Sequence, residues 1–242
     1  MNLILDAGNT LVKIAVYEGG SCVFFDKIVN ENFYQEIAKI FKKHPKIDHA
    51  IASSVGFLEK TALNLLQEFC NLHVLTHTSI TPLENKYVTP ETLGVDRIAL
   101  AVAAYYLYPQ KNVLIIDAGT CVTYDILDSG GVYLGGAISP GVYMRYKALH
   151  NQTSKLPLLT TTDFLDFIGD STENSIHSGV INGICNEITG VINQYSSRFK
   201  DLTVILTGGD AQFLSKRLKN TIFAHSKFLF EGLNYLLEYN KD

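Results

Sequence analysis

LILDAGNTLVKIAVYEGG, residues 3–20, returns as LIIDAGTCVTYDILDSGG, residues 114–131. Each copy runs an apolar strand into Asp-Ala-Gly, adds a polar residue, continues into a second alternating strand and closes on a glycine pair. This pattern predicts a strand, turn and strand unit, and its recurrence predicts a duplicated fold. Asp6 and Asp117 hold the same place in the two copies. Halves folded against one another would bring both carboxylates to the floor of one cleft, a setting suited to a metal-bound polyphosphate.

The 242 residues are enough for two domains, and the repeat favours that division with a boundary near Pro109, hence halves 1–108 and 109–242. Apolar residues make up 47% of the chain and charged residues 18%, as in a well-packed α/β protein. A formal net charge of −4 gives no electrostatic reason to expect nucleic acid or a membrane as partner. The longest apolar stretch, IALAVAAYYLY at residues 98–108, falls short of the roughly 20 residues of a membrane span. With Asp6 interrupting the first apolar run, no signal peptide is read and a cytoplasmic protein is expected. Cys22, Cys70, Cys121 and Cys185 lie far apart, which predicts buried free thiols rather than a disulfide framework or zinc site. His73 and His77 are four apart, but their segment reads as strand and lacks an acidic third ligand.

After the first hairpin, CVFFDKIV predicts a third strand, and NENFYQEIAKIFKKH a helix burying Phe33, Ile37, Ile40 and Phe41. Two further strands, HAIASSV and LHVLTH, flank the helix LEKTALNLLQEFC. A long connection then ends at LGVDR, and a helix is expected to follow at once, placing Asp96 and Arg97 near its N-terminus. The second half predicts strands at VLIIDAG, CVTYDIL, GGVYLGGAISPG and VILTGG. Helices are expected over 142–155, over STENSIHSGVINGICNEITGVINQYSSRF as one or a pair, and at the C-terminal GLNYLLEYN. Mixed sheets flanked by helices follow.

A carboxylate at the end of a buried strand, followed by glycine, offers oxygen to a cation and bare backbone to phosphate. Asn9, Thr10 and Lys13 add an amide, a hydroxyl and a cation to the first turn, and Thr120 and Thr123 serve the second. Alone, such an Asp often does no more than stabilise a hairpin turn; the pairing is what favours function. Neither a Walker motif nor G-x-G-x-x-G is present. The glycines of TGG, residues 207–209, would let an adenosine lie against bare backbone. In LGVDR, Asp96 is a candidate general base and Arg97 a fork for a carboxylate or phosphate, although the pair could equally cap and brace its helix.

DAGNTLVK, LGVDR, DAGTCVT, GGAISPG with ALHNQTSKLPL, STENSIHSG and LTGGDA occur in this order between residue 3 and about residue 211. Their order and spacing resemble the type III pantothenate kinases, members of the actin-like ATPase superfamily that includes sugar kinases and Hsp70. The resemblance implies a duplicated ribonuclease H-like fold and ATP-dependent phosphorylation of pantothenate, the first step of coenzyme A biosynthesis. It also implies a homodimer.

By the same resemblance, Asp6, Ala7, Gly8, Asn9, Thr10, Leu11, Val12 and Lys13 form a phosphate segment, with Asp6 orienting Mg-ATP. Asp96 is implied as the proton acceptor. Tyr87, Gly94, Val95, Asp96, Arg97 and Thr172 are implied at the pantothenate site, Thr172 close to a dimer partner. Asp117 is implied as the ligand of an activating monovalent cation, K⁺ or NH₄⁺, and Thr120 as an ATP contact. Two positions depart from the family's pattern: Thr89 stands in place of an Asn before Pro90, and Cys121 in place of an Ala. Two other readings are a kinase or phosphatase for another small compound on the same scaffold, and an ATP-sensing protein without transfer.

Overall fold

A computed structural model describes residues 1–8, 11–53, 60–163, 166–219 and 222–241; the expected contacts at Asn9 and Thr10 lie outside them. The chain divides into two units, Met1–Leu107 together with Lys227–Asp242, and Tyr108–Ser226. Among the described residues no helix is long and apolar enough to cross a membrane.

In the first unit, β1 (Asn2–Ala7), β2 (Leu11–Glu18) and β3 (Ser21–Val29) form an antiparallel meander. Gly19 and Gly20 both have positive φ, 54° and 83°. That is why the repeat ends in a glycine pair: the tight hairpin between Glu18 and Ser21 requires it. After α1 (Phe33–Lys43) the chain returns as β4 (His49–Ser53), parallel to β1. Helix α2 (Lys60–Phe69) leads to β5 (Asn71–Val74), parallel to β4. The five-stranded order is β3-β2-β1-β4-β5.

Central strand β1 is buried on both faces, so it reads as a continuous apolar run. Leu3, Leu5 and Ala7 pack with Phe33, Ile37, Ile40 and Phe41 of α1 and with Leu66 of α2. Ile4 packs on the opposite face against α3 (Val95–Leu107) and the C-terminal helix Phe228–Tyr239. Helix α3 starts at Val95, earlier than the sequence suggests, and takes Asp96 and Arg97 into its first turn. Residues 97–104 are all buried, since this helix is covered by the sheet and by the C-terminal helix. The C-terminal helix is anchored by Asn2, whose side chain donates to Asn234 Oδ1 at 2.7 Å and Glu238 Oε1 at 2.6 Å.

The second unit repeats the scheme with β6 (Val113–Ala118), β7 (Cys121–Leu127), β8 (Val132–Pro140), β9 (Thr203–Thr207) and β10 (Phe223–Ala224), ordered β8-β7-β6-β9-β10. Helices α4 (Val142–Asn151), α5 (Thr172–His177) and α6 (Gly183–Arg198) bury Val142, Tyr146, Ile176, Ile184 and Ile188 against Leu114, Ile116 and Tyr124. A π-helical turn, Ser178–Asn182, joins α5 to α6. A short helix, α7 (Ala211–Ser215), follows β9.

Strand register makes the duplication quantitative. Asp6 lies opposite Lys13 on β2 and Ser53 on β4; Asp117 lies opposite Thr123 on β7 and Thr207 on β9. All four cysteines are free and half-buried, less enclosed than the sequence suggests, because they sit near element ends and faces that only partly meet the core. His73 spends a ring nitrogen on the Ser79 hydroxyl at 2.9 Å.

Candidate active site

Each unit carries one cluster of the predicted residues. In the first, period-two alternation puts Asp6 on the face of β1 shared with Ile4, toward α3. The Asp6 side chain is 14% exposed; its Oδ2 meets Lys13 Nζ at 3.2 Å, while Oδ1 is 3.2 Å from Ser53 Oγ. That hydroxyl also lies 3.3 Å from the Leu5 carbonyl. Ser53 is fully buried and was not singled out from sequence; only the run of small residues ending β4 hinted at it.

Beyond Asp6 the turn closes through the Gly8 N–H, which donates to the Leu11 carbonyl at 3.0 Å. A side chain at Gly8 would begin 3.1 Å from that oxygen. Ala7 and Val12 send their side chains into the core, so these positions can serve a phosphate only through their backbone. Leu11 is exposed, and Lys13 is 45% exposed, leaving its ammonium accessible.

Gly94, Asp96 and Arg97 meet at the start of α3. The Gly94 carbonyl accepts from the N–H groups of Arg97 at 3.1 Å and Ile98 at 3.3 Å. Asp96 Oδ1 accepts the Arg97 backbone N–H at 2.9 Å. A β-carbon on Gly94 would stand 2.4 Å from Asp96 Oδ1, so a side chain there would turn this carboxylate aside. Val95 packs half-buried beside the core. Arg97 is 5% exposed and its guanidinium lies 5.6 Å from the centroid of the Tyr87 ring, within cation–π range. Tyr87, Gly94, Asp96 and Arg97 are thereby gathered around one helix start. Thr89 bonds the Thr92 hydroxyl at 2.8 Å and so holds the short turn at Pro90–Thr92.

In the second unit the Asp-Ala-Gly turn closes through the Gly119 N–H and the Cys121 carbonyl, 2.9 Å apart. Thr120 is exposed, and its carbonyl accepts the Gly141 N–H at 3.1 Å. Gly208, at φ 97°, comes so close that a β-carbon there would lie 2.3 Å from both Asp117 Oδ1 and the Ala118 carbonyl. The bare face of Gly208 is therefore taken up by the Asp117 turn rather than by the adenosine suggested from sequence, while Gly209 faces open space. Thr172 is exposed at the first position of α5, whose cap is the Ser171 side chain accepting from Asn174 N–H at 3.2 Å.

The donor set tells which ions these residues suit. Among the described residues no group of three or more His, Cys, Asp or Glu side chains converges. Magnesium that arrives with a nucleotide keeps phosphate oxygens and water and asks the protein for one or two carboxylates, a donor type that Asp6 has. Across the ladder from Asp117, the Thr123 hydroxyl is buried with no hydrogen-bond partner among the described residues. A carboxylate and a hydroxyl are oxygen donors that a hard cation can use.

Duplicated sheets of this order, each with an acidic turn after its first strand, define the actin-like ATPase and sugar kinase fold. A glucokinase from an Antarctic psychrotroph superposes with a TM-score of 0.55 at 13% identity, covering 99% of both chains. A Campylobacter jejuni protein assigned to the Baf family of transcriptional activators superposes at 0.62 and 21% identity, covering 98% of both. The sequence model of the type III pantothenate kinase family matches residues 2–194. Type III pantothenate kinases of Flavobacterium johnsoniae and Christiangramia forsetii are 49% and 51% identical, each over 100% of this chain and 99% of their own. The chain belongs to the type III pantothenate kinase family.

Proposed function

We propose that Asp96 is the general base of this kinase, taking the proton of the pantothenate 4′ hydroxyl as that oxygen attacks the γ-phosphorus of ATP. The reaction itself follows from the family: ATP-dependent phosphorylation of pantothenate, at the entry to coenzyme A biosynthesis. The observation that carries the assignment of Asp96 is the bare Gly94 beside it, where a β-carbon would stand 2.4 Å from Oδ1. A carboxylate fixed in this way, with Oδ1 against Gly94 and on the Arg97 N–H and the group half-exposed on a helix start, can take a proton from a substrate hydroxyl.

Phosphoryl transfer asks mainly for position and charge neutralisation. Arg97, within cation–π reach of Tyr87, presents N–H donors to the pantothenate carboxylate; Gly94 and Val95 shape the same segment. Lys13 and the backbone of Asp6 to Lys13 receive the phosphates, Asp6 holds the magnesium that comes with ATP, and Thr120 contacts the nucleotide. Magnesium, when bound, offsets phosphate charge. Asp117 binds K⁺ or NH₄⁺, and Thr172 adds a pantothenate contact beside the partner of a homodimer. A cytoplasmic enzyme suits this pathway. The deciding experiment is ADP release measured with and without pantothenate and with and without potassium; release that ignores pantothenate overturns the reading.

A further inference from the structure

We infer that Arg145 is a positioning residue for the second Asp-Ala-Gly turn, acting through the Ser139-Pro140-Gly141 bend. This rests on the reading of Thr120 as a nucleotide contact.

Arg145 stands in the first turns of α4, its own N–H bonded to the Gly141 carbonyl at 3.1 Å. From there the guanidinium turns back on the bend: Nε donates to the Pro140 carbonyl at 2.9 Å and Nη2 to Ser139 Oγ at 3.0 Å. Nη2 also meets Glu187 Oε2 on α6 at 2.5 Å. The second oxygen of Glu187 accepts the Tyr124 hydroxyl at 2.8 Å, tying this anchor to β7. The bend is thus fastened to both α6 and the sheet.

What the bend touches is the turn. Gly141 donates to the Thr120 carbonyl at 3.1 Å, and a β-carbon on Gly141 would fall 2.2 Å from the Gly119 carbonyl and 2.4 Å from that of Thr120. Backbone meets backbone with no slack, so a shift of the bend is passed to Thr120. A brace meant only for stability would serve anywhere along α4 and α6. The Arg145 guanidinium grips Ser139 and Pro140 of the bend, and its backbone N–H holds Gly141. Lysine cannot replace it, since one ammonium lacks the planar fork that reaches several acceptors at once. Side-chain exposures of 20% for Arg145 and 30% for Glu187 mean that replacing either strands no deeply buried charge, so the variants are expected to fold.

The test uses full-length Arg145→Gln, Arg145→Lys, Glu187→Gln and a Thr120→Val control, with steady-state kinetics and amide hydrogen exchange. Arg145→Gln and Arg145→Lys should both raise KM for ATP about tenfold, the scale set by small displacements of binding groups. KM for pantothenate should change less than about twofold, and exchange at the Gly141 amide should quicken while Ile116 stays protected. Glu187→Gln should move the same quantities less, and it carries the test if the Arg145 variants fail to fold. A folded Arg145→Gln with wild-type KM for ATP, beside a Thr120→Val with raised KM, overturns the positioning role. Equal rises in both KM values with faster exchange throughout the core also overturn it, as a merely structural effect. Thr120→Val with unchanged KM for ATP overturns the nucleotide reading instead, and quickened exchange at Gly141 alone then upholds the clamp on the turn.

Discussion

A β-carbon on Gly232 would sit 1.8 Å from the carbonyl oxygen of Ala99. The C-terminal helix and α3 therefore cross with their backbones in contact, and Ala103 lines the same crossing. Helix propensity alone favours alanine over glycine by about 1 kcal/mol, but this contact reverses the sign. Gly232→Ala should destabilise by about 1–3 kcal/mol, as other overpacked positions do. By contrast Gly190, exposed on α6 with nothing within 4 Å of a β-carbon, should gain up to about 1 kcal/mol on the same change. Urea unfolding of the two variants checks both signs.

Asp96→Asn keeps the shape of the helix start and removes the base. We expect kcat to fall by roughly 10² or more with an unchanged melting temperature. Gly94→Ala should approach the same loss by displacing the carboxylate. Turnover close to wild type in Asp96→Asn would remove the proton-acceptor role.

Activity should require K⁺ or NH₄⁺ and be poor in Na⁺ alone. Asp117→Asn should abolish that dependence, and Thr123→Val, which deletes the hydroxyl across the ladder that has no partner among the described residues, should raise the K⁺ concentration needed for half-activation. Equal rates in all three salts would take the cation away from Asp117.

Glu187 links stability to pH. Burial by itself would raise its pKa, but hydrogen bonds from Arg145, Ser139 and Tyr124 outweigh it and hold the carboxyl below its ordinary 4.5. A depressed folded pKa stabilises fully above the unfolded value and is lost as pH falls through the folded one. The stability advantage of wild type over Glu187→Gln should thus be largest near neutrality and shrink below about pH 4.5. Paired urea titrations across pH 3–7 measure it; an advantage that grows toward acid contradicts the sign.

Burial on one face or both made most elements legible. Phe33, Ile37, Ile40 and Phe41 repeat at helical spacing because they share one face of α1, and the two hairpins are spelled by strands that end in forced turns. Element ends were harder to see where tertiary contacts decide them. Gly232 looks like the start of the last helix, yet the helix begins at Phe228 and the glycine serves a crossing partner more than a hundred residues away. Likewise α3 takes in Val95 and Asp96 because the Gly94 carbonyl starts its ladder. In the site, the acidic turns were visible as a repeat. Ser53, Gly141 and Gly208 were not visible as their neighbours, because each is defined by what stands across from it in space.

Because Lys227–Asp242 completes the first unit, the ribosome cannot finish that unit in the order it began it. At about 5–20 residues per second, all of Tyr108–Ser226 must emerge first. For roughly ten seconds the wholly apolar stretch of α3 awaits its covering helix. Nascent chains halted before Lys227 should therefore be held by chaperones, and release should wait until Lys227–Asp242 has emerged.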